Sequence, residues 1–594
     1  MKTWSARFWE GDSKCLKSGD VWVLGMFTLM LSFSTLFFFL FLNLSWFDWG
    51  SCVVVSINVS SISMMDISFP FLLDWISLSF GATVCFISSW VIMYSRFYMG
   101  DDPFLLRFLL LVVLFVLSMN LLIFSPSILS LMVGWDGLGV VSFLLVVYYS
   151  NSESYSAGMI TVFSNRIGDV FFIIFIAFCC CCLDFNFFGG MIYLKDVMWV
   201  LGICVLLGSI TKSAQLPFCA WLPAAMAAPT PVSTLVHSST LVTAGVYIII
   251  RFGFLMSESM KTLLLFLSIV TFFLASLSGV YEVDLKKVVA LSTLSQVSMM
   301  MLALSLGFSV LALYHLLVHA FFKALMFMCV GSVIACSGGV QDVRFLSGFW
   351  KKLPVSMAWY CISVGCLCGL PFMSGFFSKD LIIEKVLGSA SGFVLFSLCL
   401  MSVALTVWYS TRSLSLLLKS QENMYLMVAS ESSKFLLFAL FGLGFGGFYG
   451  GYLFQNLLVE GMLYVEPSSP MKPIILFFLV FGLFLTWNTF EGKLWNYKKI
   501  FNPSSILRFR SSMFFLPPLS GNFIGYKFML YSCFIVKMIE NFWVNKIVWE
   551  SGFGVVARIS GKKVRSFSGY MLSDMGFSIS FIILLVMFLY LMFF

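Results

Sequence analysis

The chain has 594 residues, of which 60% are hydrophobic and only 10% carry a charged side chain, and its formal net charge is +8. The composition excludes a soluble protein and indicates a membrane protein, because such a small number of charges cannot cover the surface of soluble domains. The modest positive charge makes nucleic acid an unexpected partner. No pair of CxxC motifs occurs, so neither a disulfide framework nor an iron–sulfur cluster is expected.

Apolar runs long enough to cross a bilayer recur along almost the whole sequence. We predict an all-α polytopic membrane protein with about fifteen transmembrane helices, because a spanning helix needs roughly 20 apolar residues. The predicted spans are 21–42, 70–95, 104–124, 126–149, 157–183, 197–228, 232–254, 261–281, 283–306, 308–335, 353–382, 390–418, 434–454, 471–489 and 576–594.

The spans and the composition together predict an organisation in six parts. These are a polar leader (1–20), N-terminal helices with a surface segment (21–100), a core (101–420), additional helices (421–490), a lateral region (491–575) and a terminal anchor helix (576–594). The β-branched residues between 43 and 69 favour a short hairpin on the membrane surface. Segment 523–557 alternates apolar stretches with charges, which is typical of an amphipathic helix lying along a surface.

Two predicted spans are interrupted by residues that break helices, and each has a lysine beside the break. The breaking residues are Pro217 and Pro223 in span 197–228, beside Lys212, and Gly369 and Pro371 in span 353–382, beside Lys379. Broken helices at membrane depth are tolerated only where protein or water surrounds them. A pair of them is the sequence signature of an inverted-repeat transporter with its site near the midplane.

Asp136, in the segment LMVGWDGLGVVSF, lies in the middle of a span among glycines that allow close helix packing. A carboxylate at that depth needs a cation, and we expect Lys212 to supply it. Arg166 and Asp169, in SNRIGD, form a second charged pair that we place at a membrane boundary. A simple packing salt bridge is the alternative interpretation of this second pair.

The three histidines of the chain all lie within predicted spans. His237 follows a Pro-Thr-Pro turn, and His315, His319 and Lys323 recur at i, i+4 and i+8, which places them on one helix face. Imidazoles titrate near physiological pH, so such a line of groups can pass protons. Two packed core histidines, or a zinc site with HxxxH spacing, are the alternatives.

Three further groups of residues are weaker candidates for a functional role. Lys379 and Asp380 follow the second break, where water can reach them from one side. Lys286, with its neighbours 284 and 287, is expected to mark an interfacial loop-to-helix boundary. The glycines at 442, 444 and 447 match GxGxxG, but the match lies inside a span without the strand and the acidic residue of a dinucleotide site, so we interpret it as helix packing.

Several long segments, in this order, carry a resemblance to a known family. They are SMNLLIFSPSILSLMVGWDGLGVVSFLLVVYYSN, AGMITVFSNRIGD, TKSAQLPFCAWLPAAMAAPTPVSTLVHSSTLVTAGVY, DLKKVVALSTLSQ, HLLVHAFFKALMFMC and GLPFMSGFFSKD. The chain resembles the NADH dehydrogenase subunit 5 family, the distal antiporter-like subunits of respiratory complex I in mitochondria. The resemblance covers residues from about 100 to 420.

The resemblance implies two inverted five-helix repeats, a lateral helix and a terminal anchor in the mitochondrial inner membrane. It implies proton translocation through Asp136, Asp169, Lys212, His237, His315, His319, Lys323, Lys379 and Asp380. It also implies that NADH, FMN, iron–sulfur clusters and ubiquinone belong to other subunits, with no cofactor on this chain. The implied partners are the other complex I subunits, above all the neighbouring antiporter-like subunit, and membrane lipids that include cardiolipin.

Two other functions remain open at this point. One is a subunit of a multi-subunit cation/proton antiporter, which shares the antiporter-like fold. The other is a structural membrane subunit whose polar residues take no part in transport.

Overall fold

A computed structural model describes residues 18–47, 52–62, 65–180, 198–388, 393–419, 433–459, 472–490, 509–516, 519 and 524–539. The chain divides into two compact units, Met1–Ser520 and Gly521–Phe594. The predicted anchor 576–594 and all but the end of the predicted leader lie outside the described residues. Within the described residues, eleven helices are long and apolar enough to cross a membrane, and four further apolar helices are shorter.

The N-terminal part consists of long helices and one hairpin. Its elements are α1 (Ser18–Phe47), β1 (Val53–Ile62), β2 (Met65–Leu73), α2 (Trp75–Tyr98), α3 (Leu105–Phe124), α4 (Ile128–Val146) and α5 (Ser152–Cys180). The two strands pair antiparallel from Val53 opposite Leu73 to Ile62 opposite Met65, which confirms the predicted hairpin. α4 begins where the Ser127 hydroxyl accepts a hydrogen bond from the amide of Ser130 at 3.3 Å, as an N-cap should.

The middle of the chain contains the first interrupted span. Its elements are α6 (Met198–Lys212), α7 (Trp221–Ala224) between two 3₁₀ turns, α8 (Thr230–Leu235), a π-helical turn (Val236–Thr240) and α9 (Leu241–Phe252). The following helices are α10 (Glu258–Tyr281), α11 (Leu285–Ser305) and α12 (Ser309–Cys336).

The rest of the first unit contains the second interrupted span and two closing helices. Its elements are α13 (Phe349–Lys352), α14 (Pro354–Cys368), α15 (Ser374–Gly388), α16 (Phe393–Leu418), α17 (Lys434–Phe454) and α18 (Lys472–Phe490). In the second unit, α19 (Ile524–Val536) falls within the predicted amphipathic segment. Every predicted span except 576–594 corresponds to a helix or a broken helix of the structure.

Two consecutive groups of five spans follow α2, and in each group the fourth span is the broken one. The first group runs from α3 to α9 and the second from α10 to α16. If each span crosses the membrane once, five crossings put the start of the second group on the opposite side. This order is the one that inverted repeats require.

The core of the first unit forms around α11 and α12, because the most apolar 18 residues of each helix are entirely buried. α12 contacts α2, α8, α11, α14, α15 and α17. A helix that is apolar on every side is typical of such a central position. His315, His319 and Lys323 of α12 therefore have no lipid or solvent to face and must find partners inside the protein.

The GxGxxG glycines are packing residues, as predicted. A β-carbon on Gly442 would lie 2.3 Å from the Trp90 ring, and one on Gly444 would lie 2.4 Å from the Trp359 ring. These glycines let two bulky indoles approach the backbone of α17.

Candidate functional site

The charged residues of α4 and α5 form a chain of contacts. Arg166 lies 3.1 Å from Asp169 and 3.9 Å from Asp136. The side chains of Arg166 and Asp136 are 54% and 44% exposed, whereas Asp169 is buried. Arg166 and Asp169 lie in the middle of α5, so their predicted place at a membrane boundary is wrong.

Lys212, the last residue of α6, is fully buried against Trp135. Its amine donates a hydrogen bond to the Trp135 carbonyl at 2.6 Å and lies 3.6 Å from the centroid of the indole ring. The expected ion pair with Asp136 is not formed, and within the described residues Lys212 has no ion-pair partner. Neighbouring positions on a helix point about 100° apart. Trp135 therefore faces Lys212, while Asp136 turns towards Arg166.

Lys212 is held in place by the way α6 ends. Ala214 adopts φ +53°, a left-handed conformation that is uncommon for residues other than glycine. The indole of Trp221 donates to the carbonyl of Thr211 at 3.0 Å, which satisfies one of the unpaired carbonyls of the helix end. Pro217 and Pro223 lie beyond this turn, in the short helical pieces that follow, so the predicted break is confirmed.

His237 lies in the π-helical turn between α8 and α9 and is buried. Neither of its ring nitrogens has a hydrogen-bond partner among the described residues. Its ring centroid is 6.1 Å from that of Trp221, which belongs to the first break, and the π-helical turn packs on α12. His237 therefore lies between the first broken span and the central helix.

His315, His319 and Lys323 of α12 are completely buried. His315 bonds through Nδ1 to the Ser378 hydroxyl at 2.9 Å and through Nε2 to Gln296 Oε1 at 3.2 Å. The amine of Lys323 donates to the Ser292 hydroxyl at 2.5 Å. The predicted line of residues on one face of α12 is therefore present, and hydrogen bonds connect it to α11 on one side and to α15 on the other.

His319 occupies the middle of this line. Its ring centroid lies 6.2 Å from that of His315 and 5.4 Å from that of Phe322. Both of its nitrogens are buried without a hydrogen-bond partner in the described part of the chain. Such groups in native proteins are normally bonded to internal water.

The second break begins at Gly369, which ends α14 with φ +80°. The amide of Leu370 donates to the Gly365 carbonyl at 3.1 Å, the bond of a Schellman motif. Glycine is needed here because a side chain at this φ is strained. The chain then passes Pro371 and Phe372 at the surface of the unit before α15 begins.

Lys379 reaches back from α15 to the end of α14. Its amine donates to the carbonyls of Leu367 and Cys368 at 3.3 and 3.5 Å and to the hydroxyl of Thr406 at 3.1 Å. The carbonyl end of a helix carries a partial negative charge, so it stabilises the buried ammonium group. Asp380 is partly exposed whereas Lys379 is buried, so access of water to both residues from one side stays a prediction.

The neutral partners of the buried charges were not predicted from the sequence. Ser292 and Gln296 are spaced i, i+4 on α11, and both point at α12. Their spacing within a predicted membrane span was the available signal. Lys286 lies at the predicted loop-to-helix boundary, since α11 begins at Leu285, but it is 4% exposed and its amine donates inward to the Ala228 carbonyl at 3.2 Å.

Comparison with known families covers most of the chain. Residues 59–109 match the family described as NADH-Ubiquinone oxidoreductase (complex I), chain 5 N-terminus. Residues 125–407 match NADH:quinone oxidoreductase/Mrp antiporter, TM, and residues 409–592 match NADH dehydrogenase subunit 5 C-terminus.

Individual relatives agree with these matches. NADH-ubiquinone oxidoreductase chain 5 of Locusta migratoria is 40% identical over 525 residues, which is 87% of this chain and 91% of the relative. The Anopheles gambiae protein of the same name is 43% identical over 470 residues, which is 78% of this chain and 80% of the relative. The solved Mrp complex from Dietzia sp. shares the fold, with a TM-score of 0.70 and 19% identity over 92% of this chain and 63% of that chain. The chain is a multi-pass membrane protein that belongs to the family of NADH-ubiquinone oxidoreductase chain 5.

Proposed function

We propose that this chain translocates protons across the mitochondrial inner membrane as a core membrane subunit of NADH:ubiquinone oxidoreductase, respiratory complex I. The observation that carries the proposal concerns Lys212, Lys323 and Lys379, each at most 1% exposed. Their hydrogen-bond acceptors are neutral backbone and side-chain atoms, and none has an ion-pair partner among the described residues. A buried amine held this way can release and rebind a proton without breaking an ion pair.

The proposed route joins the two broken spans through α12. One end of this route, next to α6, contains Asp136 with Arg166 and Asp169. The other end, at α15, contains Asp380. Between them the imidazoles of His237, His315 and His319 supply ring nitrogens that can each donate or accept a hydrogen bond along the route. Internal water bonded to the unpartnered ring nitrogens of His237 and His319 supplies the links between side chains.

The half-exposed pair of Asp136 and Arg166 supports a neighbouring membrane subunit as partner. The pair lies among exposed apolar side chains of α4 and α5, such as Val133, Phe163 and Val170. A charge facing lipid at this depth costs at least about 2.5–3.5 kcal/mol. A second antiporter-like subunit of the complex would cover this face, and lipids that include cardiolipin would contact the remaining outer helices.

In this proposal the chain carries out no redox chemistry itself. NADH, FMN, the iron–sulfur clusters and ubiquinone belong to other subunits, whose electron transfer drives the proton movement here. The chain contributes only side chains that hold and pass protons.

Native electrophoresis with an NADH-activity stain tests this assignment. The chain, followed by an antibody or a tag, should migrate with the stained complex that contains flavin and iron–sulfur absorbance. Migration with a smaller assembly that lacks both absorbances and exchanges cations for protons would favour a cation/proton antiporter instead.

A further inference from the structure

One indole ring contacts both a buried cation and a buried anion. The Lys212 amine lies 3.6 Å from the centroid of the Trp135 ring, and Nε1 of the same ring donates to Oδ1 of Asp169 at 2.8 Å. Trp135 is completely buried, and Phe172 packs edge-on against it with the ring centroids 4.6 Å apart. The ring is therefore held firmly between the two charged groups.

The two contacts match the charge distribution of an indole. The face of an aromatic ring is negative and attracts an ammonium group, whereas the N–H edge is positive and binds a carboxylate. The indole N–H is only a donor, so it cannot accept a proton from one side and pass it to the other. Trp135 consequently stabilises both charges and keeps them from exchanging a proton through the ring.

We propose that Trp135 is a positioning residue that gates proton exchange between Lys212 and Asp169. The inference rests on the proposed function and assigns Asp169, not Asp136, as the exchange partner of Lys212. When Nε1 releases the carboxylate, Asp169 approaches the amine. One N–H bond of Nζ then breaks and an O–H bond forms on the carboxylate, which leaves both groups neutral until the proton moves on.

The first experiment compares Trp135→Phe with a matched control in the assembled complex. Phenylalanine keeps an aromatic face for Lys212 but removes the N–H that holds Asp169. Losing a hydrogen bond to a charged group shifts the equilibrium between the separated and the ion-paired arrangements of Asp169 and Lys212 by roughly tenfold or more. Trp90→Phe is the control, because the buried Trp90 N–H has no hydrogen-bond partner among the described residues.

The readout is the number of protons pumped per electron during NADH oxidation in sealed vesicles. We expect W135F to lower this ratio while NADH oxidation continues, and W90F to keep the wild-type ratio. In an Asp169→Asn background, W135F should cause no further loss, because both changes act on one contact. Additive losses would show that Trp135 only fills space, and they would overturn the proposal.

A spectroscopic readout follows the ring directly. The indole band that reports N–H hydrogen bonding in ultraviolet resonance Raman is isolated by subtracting the W135F spectrum from the wild type. If W135F does not assemble, subtraction of the D169N spectrum isolates the same ring. We expect this band to weaken towards a free N–H during turnover, and an identical band at rest and in turnover would contradict the gate.

A third variant, Lys212→Met, separates this proposal from the proposed function. If Lys212→Met pumps normally, proton translocation through this site is wrong. If Lys212→Met pumps poorly while W135F behaves as W90F does, translocation stands and only the gate is wrong.

Discussion

Gly134 is a point of backbone contact between α3 and α4, directly before Trp135 in the chain. A β-carbon at this position would lie 2.6 Å from the backbone nitrogen of Leu122 and 2.9 Å from its α-carbon. Backbone atoms cannot rotate away as a flexible side chain can. We therefore predict that Gly134→Ala forces the two helices apart.

The size of the effect follows from this geometry. Ordinary contact begins at 3.4 Å, so α4 must move away by about 0.8 Å, the difference between 3.4 and 2.6 Å. Overpacking of this kind costs about 1–3 kcal/mol, and the upper part of the range applies because the obstacle is backbone. Alanine recovers up to about 1 kcal/mol of helix propensity, so the net loss is about 2 kcal/mol. The movement also displaces Trp135 from Lys212, so pumping should fall as well.

Gly139→Ala on the same helix is the matched control, because nothing lies within 4 Å of its added β-carbon. It should leave the chain as stable as the wild type or stabilise it by up to about 1 kcal/mol. The assay is the temperature at which the chain is lost from the assembled complex on native gels. Equal temperatures for Gly134→Ala and Gly139→Ala would refute the reasoning.

Two further substitutions test the roles of Ser292 and Glu282. Ser292→Ala removes the hydroxyl that binds the Lys323 amine and should slow pumping roughly tenfold with assembly intact, whereas Ser298→Ala, whose hydroxyl bonds within its own helix, should pump normally in the same vesicles. Burial raises the pKa of Glu282, and Lys287 offsets only part of this effect. The folded state therefore binds that proton more tightly than the unfolded state, so the contribution of Glu282 to stability is fully present below its unfolded pKa and is lost as pH rises through its folded pKa. Glu282→Gln should flatten this dependence in thermal unfolding of the complex, and an unchanged slope would contradict it.

Local signals in the sequence were sufficient for most of the fold. Hydropathy locates the spans because each must bury its backbone hydrogen bonds within one apolar segment. Both breaks followed from helix-breaking residues, and the spacing of His315, His319 and Lys323 placed them on one face of one helix. These features depend only on residues close together in the chain, so they can be predicted directly from the order of the amino acids.

The partners of the charged groups depend on contacts between distant segments, and these were not predictable. The residues flanking Asp136 gave no sign that Trp135, one position earlier, would face Lys212. The left-handed conformation of Ala214 has no sequence signature, because alanine rarely adopts it. Lys286 resembled an interfacial residue because charged neighbours surround it, although its own amine turns inward to Ala228.

Whether Lys212 carries protons through this chain is decided by the number of protons that the Lys212→Met complex pumps per electron. Methionine preserves much of the buried volume and removes the titratable amine. Lys261→Met is the control, because Lys261 pairs with the exposed Glu258 on α10. We expect the Lys212→Met complex to assemble and oxidise NADH but to pump fewer protons per electron, and the Lys261→Met complex to pump as the wild type does. A wild-type ratio in the Lys212→Met complex would contradict it.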